Sequence, residues 1–505
     1  MTRAVGRGAA RAARAALAVL TVAAALALAA PPASAAIEWA SDSITTFEGV
    51  ARSVERGTLL VPEDRGQPAG TRIHLGFVRL RATGKSAGSP ILFLAGGPGV
   101  PATFMARIPA YDRFFQKLRG TGDVILVDQR GCGLSDPLLV CSPKEPLPSD
   151  VFVSEERTRI ELDRAFGVCA TTLRSQGVRP EAYHQRASAG DLEELRLALG
   201  PPRLRLVAYS SGTELAQEYL RAHGDRVERV VFIGTRSTDE AWRLPSAFDF
   251  HVRRLARFVA RDSTFGKRFP DFEGAIRAAA ESLDAHPRTI TVLDRRLGAN
   301  VDLVAGGFAL RMVMQGDLID PFGFGVAPAL LQSLAQGDDA LFAFKVGQLY
   351  NSFTSITNVE LVGFDCASGA DGDRVRRIER EASASLFGGA RGLLQRPALC
   401  REIGAGDLGA AYRDRVYSAA PALFLTGSLD GNSPPYQAEE VRWGFPNGIH
   451  IVVPSGWHEL IPVPDVQQTV ADYLAGEDVA GRRLVAPPPR LFSIPDAKKL
   501  LGVTR

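Results

Sequence analysis

The sequence predicts an α/β fold in which a mostly parallel sheet is interrupted by a long helical insertion. Short apolar, β-branched runs alternate with helical stretches up to about residue 240, and such runs reappear after about residue 420. Between them, the hydrophobic periodicity of residues 241–401 is that of helices alone. We therefore expect a core built from two separate parts of the chain, with a helical cap inserted between them.

Six short runs indicate buried parallel strands, because each is apolar on both faces and ends at turn residues. These runs are 91–95, 123–127, 204–208, 230–234, 420–426 and 449–453. Helical periodicity at 188–199 and 213–223 predicts crossover helices between strands. The runs 56–61 and 72–81 are expected to join the same sheet as antiparallel strands.

The changes of pattern also predict the domain boundaries. The core comprises residues 36–240 and 402–484, the cap comprises 241–401, and a tail of 485–505 follows, in which three consecutive prolines predict an extended wrap or linker. Within the cap, helices are expected at 247–261, 272–286, 303–315, 327–335, 340–351 and 374–386.

The first 35 residues have the pattern of a secretory signal. Four arginines precede an uncharged run at 15–30, and the small residues of Ala33-Ser34-Ala35 follow it. The apolar run has about 16 residues, fewer than the roughly 20 that a membrane span needs, although an uncleaved anchor is the alternative. We expect cleavage after Ala35 and a secreted or periplasmic protein with no membrane attachment.

Composition and cysteine content restrict the possible partners and cofactors. A net charge of +3 over 505 residues, with no long basic block, argues against nucleic-acid binding. In an exported protein, cysteines are expected to form disulfides, although sequence alone does not fix their connectivity. The pairs close in sequence, Cys141 with Cys169 and Cys366 with Cys400, are expected, leaving Cys132 unpaired. No pair has CxxC spacing, so no metal site is predicted.

A candidate nucleophile lies where a predicted strand runs into a predicted helix. Ser210 stands between Ala208 and Gly212, and small residues at those positions allow the strand and helix to approach closely around a sharp turn. A serine that only caps the following helix is the alternative interpretation.

A base and an acid follow in the order that such a serine requires. Asp430 comes after the predicted strand 420–426, and His458 comes just beyond the strand 449–453. A serine hydroxyl needs a general base, and that base needs an acid to orient it. Only His450 and His458 come after Asp430, and His450 falls inside a predicted strand, so His458 is the expected base.

A glycine-rich segment supplies candidate oxyanion donors. Gly96-Gly97-Pro98-Gly99 directly follows a predicted strand, and glycines allow backbone N–H groups to turn toward a substrate carbonyl. We expect the amide of Gly97, with Gly96 as the alternative, and the amide of Ser211 to bind the negative oxygen of the tetrahedral intermediate.

Together these motifs resemble a known family. The segments Gly96-Gly97-Pro98-Gly99, DQRGCGLSDP at 128–137, SSGT at 210–213, LDGNSPP at 429–435 and GWH at 456–458 are similar to those of the proline iminopeptidase and secreted tripeptidyl aminopeptidase family. The resemblance implies an α/β-hydrolase fold, a triad of Ser210, Asp430 and His458, and release of residues from peptide N-termini without a cofactor. Its substrates would be peptides with a free N-terminus.

Three positions depart from the family pattern. Ala95 stands where the family usually has His, Ala208 where it has Gly, and Cys132 where it has Thr or Ser. Ala208 is small enough for the turn, whereas Ala95 removes a side chain that supports the oxyanion loop, so efficiency or substrate choice is expected to differ.

An aminopeptidase must also bind the ammonium of its substrate. The candidates are four acids near the edges of the cap, Asp239, Glu240, Glu360 and Asp365. Trp242, an aromatic residue, is a candidate to line the entrance of the same binding site. The sequence does not choose among them. It also leaves open a carboxylesterase acting on small esters, a catalytically silent hydrolase fold that binds ligands, and the oligomeric state.

Overall fold

The computed structural model describes residues 36–84, 88–143 and 145–503. The expected signal sequence, residues 1–35, lies outside the described residues, so its cleavage stays a prediction. Across the described ranges, no helix is both long and apolar enough to cross a bilayer.

The strands of the described residues fall into one large sheet and two small ones. They are β1 (Glu38–Thr45), β2 (Ala51–Pro62), β3 (Arg72–Leu80), β4 (Ile91–Leu94), β5 (Val124–Val127), β6 (Val140–Cys141), β7 (Leu204–Tyr209), β8 (Val227–Ile233), β9 (Arg288–Asp294), β10 (Ala299–Ala305), β11 (Thr357–Asn358), β12 (Ala422–Gly427) and β13 (Gly448–Val453).

The large sheet has nine strands in the order β1-β2-β3-β5-β4-β7-β8-β12-β13. The pairs β1–β2, β2–β3 and β3–β5 are antiparallel, and every pair from β5 to β13 is parallel. The predicted mostly parallel sheet is confirmed, and so is its antiparallel edge at 56–61 and 72–81. The carboxyl ends of β4, β7, β8, β12 and β13 therefore meet at one edge of the sheet.

The middle of this sheet is the centre of the core. Every residue of β4, β5, β7 and β12 is buried. Strands that are apolar on both faces require helices on both sides, which explains why these runs could be recognised from sequence.

Helices cover the sheet and form most of the insertion. They are α1 (Ala102–Met105), α2 (Pro109–Leu118), α3 (Glu155–Ser175), α4 (Gln185–Leu199), α5 (Gly212–His223), α6 (Pro245–Arg261), α7 (Phe265–Arg268), α8 (Phe272–Ala285), α9 (Gly307–Asp317), α10 (Pro321–Ala335), α11 (Ala340–Ser355), α12 (Val359–Ser368), α13 (Gly372–Ala384), α14 (Pro397–Ile403), α15 (Ala410–Arg413), α16 (Pro435–Arg442), α17 (Pro464–Ala475) and α18 (Ile494–Leu501).

Local sequence sets the ends of these helices. At the start of α4, the His184 side chain accepts a hydrogen bond from the Ala187 amide, and at its end Gly200 adopts φ +89°. Asp320 and Asn358 cap α10 and α12 in the same way, through side-chain oxygens. Such caps satisfy amides that have no partner within the helix.

The expectation of helices alone between 241 and 401 is wrong at β11 and, over a longer stretch, at residues 288–305. Strands β9 and β10 form an antiparallel hairpin there, and the helix expected at 303–315 begins only at Gly307. Ile290, Val292 and Asp294 alternate with less buried residues along β9. This period of two is the signature of a half-buried strand. The sequence interpretation did not recognise it between the helices expected at 272–286 and 303–315.

Two disulfides lie in and beside the insertion. Cys141 of β6 is bonded to Cys169 of α3, and Cys366 of α12 is bonded to Cys400 of α14. These are the two pairs expected from sequence proximity. Cys132 is a buried free cysteine.

The tail connects the core to the insertion. The Ala486 amide donates to the carbonyl of Pro454 in the core, and the Phe492 amide donates to the carbonyl of Gly325 in α10. These two contacts lie in the segment for which an extended wrap was expected. The chain then forms α18, which the sequence interpretation missed. Lys498 of α18 bonds Asp338 at 2.6 Å.

Candidate active site

Ser210 occupies a strained turn between β7 and α5. Its φ is +53°, in the left-handed region that side chains other than glycine rarely adopt. The Ser210 amide donates to the Ile233 carbonyl of β8 at 2.9 Å, which fixes the turn to the neighbouring strand. A Cβ on Gly212 would lie 2.3 Å from the Leu94 carbonyl oxygen, so only glycine allows α5 to start this close to β4.

A continuous hydrogen-bonded chain links Ser210, His458 and Asp430. The Ser210 Oγ lies 2.8 Å from His458 Nε2, and His458 Nδ1 lies 2.8 Å from Asp430 Oδ2. All three residues are buried. An Nδ1–H that donates to the carboxylate leaves Nε2 free to accept the serine proton, which is the tautomer that a general base requires.

Backbone amides hold Asp430 in place. Its other oxygen, Oδ1, accepts from the amides of Asn432 and Ser433, both at 2.8 Å. These bonds fix the carboxylate in the tight turn after β12. With His458 at Oδ2, both carboxylate oxygens therefore have hydrogen-bond partners, as a buried charge requires.

Close backbone approaches bring the acid and base loops together. A Cβ on Gly427, at the end of β12, would lie 2.3 Å from the carbonyl oxygens of Gly456 and Trp457. A Cβ on Gly234, at the end of β8, would lie 2.9 Å from Cε1 of His458. Glycines at these two strand ends therefore make room for the loop that carries the imidazole.

The glycine-rich segment after β4 lies directly against the nucleophile. A Cβ on Gly96 would lie 2.6 Å from the Cβ of Ser210. Gly97 has φ +123°, a conformation suited to glycine. In the described part of the chain, the amides of Gly97 and Ser211 have no hydrogen-bond partner within the protein, so both can donate to a bound group.

Glu360, at the start of α12, is buried beside the same segment. A Cβ on Gly99 would lie 3.0 Å from its Oε2, and that oxygen has no hydrogen-bond partner. Burial, together with the negative charge of Asp128, raises the pKa of the Glu360 carboxyl well above its ordinary value, although the Cys132 thiol acts against this shift. The cap therefore presents an unsatisfied carboxyl group next to the loop that flanks Ser210.

The other candidate acids have different surroundings. Asp365 bonds Arg236 at 2.5 Å and Gln395 at 2.7 Å, and Glu240 accepts from Tyr436 at 2.8 Å as well as from Gln437. Both carboxylates therefore already have protein partners.

Asp239 and Trp242 also have surroundings unlike those of Glu360. Asp239 is exposed and accepts a bond from the Ser237 hydroxyl. Trp242 is buried, and its indole Nε1 donates to the Asp365 carbonyl at 2.9 Å. The structure thus separates the five candidates, and only Glu360 combines burial with an unpartnered oxygen.

Sequence reasoning missed a cluster of Tyr111, Tyr209 and Glu459 next to the imidazole. The Tyr209 ring lies 5.4 Å from that of His458, centroid to centroid, and the Tyr111 hydroxyl donates to Glu459 Oε2 at 2.5 Å. Burial raises the pKa of Glu459. The visible signal was the acid Glu459, which directly follows the expected base His458 in the sequence. In the described residues, no cluster of His, Cys, Asp and Glu is arranged to hold a metal.

Residues 89–282 match the α/β-hydrolase fold family. The chain has the α/β-hydrolase fold. The matched residues contain Ser210 and the glycine-rich segment, and the strand order agrees with a mostly parallel hydrolase sheet. The predicted fold class is confirmed, while the catalytic roles of the individual residues stay predictions.

Curated relatives of this hydrolase-fold chain cover part of its length. It is 31% identical over 201 residues to the putative hydrolase YuaR of Escherichia coli, covering 37% of this chain and 38% of YuaR. It is 28% identical over 223 residues to a tripeptidyl aminopeptidase of Streptomyces coelicolor, covering 42% of this chain and 41% of the relative. The matches thus span about two-fifths of the length of these relatives.

Solved structures include a proline iminopeptidase from Mycobacterium smegmatis. It aligns over 83% of this chain and 98% of its own, with 14% identity and a TM-score of 0.36.

Proposed function

We propose that the protein is an exported serine hydrolase that acts as an aminopeptidase on short peptides. The observation that carries the proposal is the chain of 2.8 Å contacts from Ser210 through His458 to Asp430. A strained serine joined to a buried imidazole–carboxylate pair is the arrangement that acyl transfer requires. The relative named as a tripeptidyl aminopeptidase supports a peptide substrate.

In this proposal, Ser210 attacks the scissile carbonyl while His458 Nε2 takes its proton. Asp430 keeps the imidazole oriented and stabilises the positive charge that forms on it. The amides of Gly97 and Ser211 donate to the oxyanion, and His458 then returns the proton to the leaving amine. Water, activated by the same imidazole, attacks the acyl group and releases it from Ser210.

Glu360 is our candidate for the group that binds the free N-terminus. Its unpartnered Oε2 is beside Gly99, two residues beyond the proposed oxyanion donor Gly97. An ammonium at that oxygen would satisfy it and would favour the ionised carboxylate, so binding would be coupled to loss of the Glu360 proton. A blocked N-terminus would bring no charge to this carboxyl and would be discriminated against.

Export is consistent with the two disulfides. Disulfides form and persist mainly outside the cytoplasm, and this chain has two that join separate helices or strands. Together with the arginine-rich, apolar start of the sequence, they support secretion to the periplasm or the medium.

Turnover of matched amides and esters by the purified protein tests the proposal. The substrates are chromogenic anilides of Ala, Pro and a Pro-ending tripeptide, each with a free and with an acetylated N-terminus, beside a short acyl ester. We expect cleavage of the free-amine anilides, loss of that cleavage on acetylation, and loss of nearly all turnover in Ser210→Ala. The best anilide would give the number of residues released.

The other outcomes separate the alternatives. Ester cleavage alone, indifferent to acetylation, would favour a carboxylesterase and would overturn the aminopeptidase assignment. No turnover of any substrate by the folded protein would favour a silent fold that binds ligands.

A further inference from the structure

Two arginines lie beside the Asp430 loop without a carboxylate in contact. Arg391, in the turn between α13 and α14, donates from Nη2 to the Gly431 carbonyl at 3.1 Å and to Asn432 Oδ1 at 2.8 Å. Arg243, between β8 and α6, makes no hydrogen bond or ion pair with any described residue, and its Nε is buried without a partner. Neither guanidinium is neutralised by direct contact with an acid.

The loss of solvent around the two guanidinium groups disfavours their charged forms. Desolvation, together with the nearby charge of Arg236, lowers the pKa of Arg243 to about 10. Desolvation, together with the charge of Arg243, lowers the pKa of Arg391 well below its ordinary value. Both side chains are partly buried, and the charge of Asp430 offsets part of this cost, but the buried Nε of Arg243 still lacks a partner that a bound anion would supply.

The two arginines line a small cavity that lies next to an open cleft and shares lining residues with it. The inner cavity is about 10 Å³, enough for about one water molecule or a single carboxylate oxygen. The outer cleft is about 550 Å³. Both are lined by Glu240, Leu244, Ala247, Pro434 and Tyr436.

One of these shared residues is an acid, Glu240, which could have paired with the arginines. Its carboxylate is instead held by Tyr436 and Gln437, and its nearest cation is Arg374, at 3.6 Å. The inner donors are therefore left available to a group that enters from the cleft.

The arginine pair and Glu360 are on opposite sides of the nucleophile. In the sheet order β5-β4-β7-β8-β12, Glu360 adjoins the loop after β4, Ser210 follows β7, and Arg391 bonds the loop after β12. A peptide whose amine reaches Glu360 would therefore have its leaving part on the side of Ser210 where the arginines lie.

We propose that Arg243 and Arg391 form a carboxylate-binding subsite for the leaving part of a peptide substrate. The inference rests on the proposed aminopeptidase function and goes beyond it, because it assigns a preference for a negative charge beyond the scissile bond. The carboxylate can come from the C-terminus of a short peptide or from an acidic side chain. Arginine is suited to either source, since its planar fork of donors matches a carboxylate.

Peptide binding to the inactive Ser210→Ala protein tests the subsite independently of turnover. Calorimetry would compare tetra-alanine as the free acid, the same peptide as its C-terminal amide, and an amidated peptide of the same length that ends in Glu. We expect the free acid to bind about 10- to 100-fold more tightly than the amide, as hydrogen bonds to charged groups imply. Recovery of affinity by the Glu-ending amide would show that a side-chain carboxylate also binds to the subsite.

Arg243→Gln, added to the Ser210→Ala protein, should remove the advantage of the free acid, since Arg243 supplies the unused donors. Arg268→Gln removes the same charge from an exposed position on α7 and is the matched control, which should retain the advantage. Equal binding of acid and amide, or an advantage that survives Arg243→Gln, would overturn the inference. Equal competition by sodium chloride and sodium acetate would overturn it too, because the pair would then hold any small anion.

The wild-type protein distinguishes this failure from failure of the proposed function. If it cleaves the free acid and the amide with the same kcat/KM, the aminopeptidase assignment stands and the subsite is wrong. If it cleaves neither peptide and also leaves the chromogenic anilides intact, the proposed function itself is wrong.

Discussion

The substitution Glu360→Gln tests how the cap recognises the substrate amine. It removes the carboxyl that becomes charged when an ammonium binds beside Gly99, but it keeps the size of the side chain. A hydrogen bond to a charged group contributes about 1.5 to 3 kcal/mol, so the ratio of kcat/KM for a free-amine anilide to that for an ester should fall about 10- to 150-fold. The ester supplies no ammonium, and the ratio therefore isolates recognition of the amine from the chemistry at Ser210.

The assay measures both substrates on three proteins. These are the wild type, Glu360→Gln and Glu379→Gln, the last of which removes an acid from an exposed position on α13 and should keep the wild-type ratio. A ratio that stays within twofold of wild type in Glu360→Gln would refute the role of this carboxyl. A neutral amide cannot replace the attraction between a carboxylate and the substrate ammonium.

The raised pKa of Glu360 adds a pH dependence with a definite sign. The carboxyl must lose its proton to bind an ammonium, so the wild-type ratio should rise as the pH rises toward that pKa, and the ratio of Glu360→Gln should lack this rise. Stability should change in the opposite direction. Above the unfolded-state pKa of about 4.3, the wild type should lose about 1.4 kcal/mol per pH unit relative to Glu360→Gln, until the folded-state pKa is reached.

Three further substitutions test the packing around the site. Gly96→Ala would bring a methyl group within 2.6 Å of the Ser210 Cβ, so kcat should fall at least about tenfold while circular dichroism shows a retained fold. Gly427→Ala would place a methyl group 2.3 Å from two carbonyl oxygens, and it should lower the free energy of unfolding, measured in urea, by at least about 1 kcal/mol. The double variant Cys366→Ser, Cys400→Ser should lower it by about 2 to 5 kcal/mol, and an unchanged midpoint would contradict the stabilising role of that bond.

The sequence was sufficient for the centre of the sheet and for the order of the candidate triad. Strands β4, β5, β7 and β12 are apolar on both faces, so burial could be inferred from each run by itself. Ser210, Asp430 and His458 follow predicted strands, and strands of one parallel sheet place their following loops at one edge. The contacts among these three residues therefore follow from the parallel strand order, which the sequence motifs already implied.

The insertion was harder to predict because its secondary structure and side-chain partners depend on contacts between residues that are far apart in the sequence. The hairpin β9–β10 turns through Arg295 and Arg296 and has only one half-buried face, so its signal was weak beside the surrounding helices. Glu360 could not be separated from Asp365 in the sequence, since both are acids of α12. Only the folded chain pairs Asp365 with Arg236 and leaves the Oε2 of Glu360 without a partner beside Gly99. Arg243 and Arg391 are 148 residues apart in the numbering and share no motif.

Covalent labelling of the nucleophile tests the central claim most directly. A fluorophosphonate probe reacts with a serine that an adjacent imidazole activates, and peptide mapping by mass spectrometry identifies the labelled residue. The account predicts stoichiometric label on the peptide that contains Ser210, loss of hydrolysis in step with labelling, and no label in Ser210→Ala or in His458→Ala. Label at another serine, or hydrolysis that survives in Ser210→Ala, would contradict it.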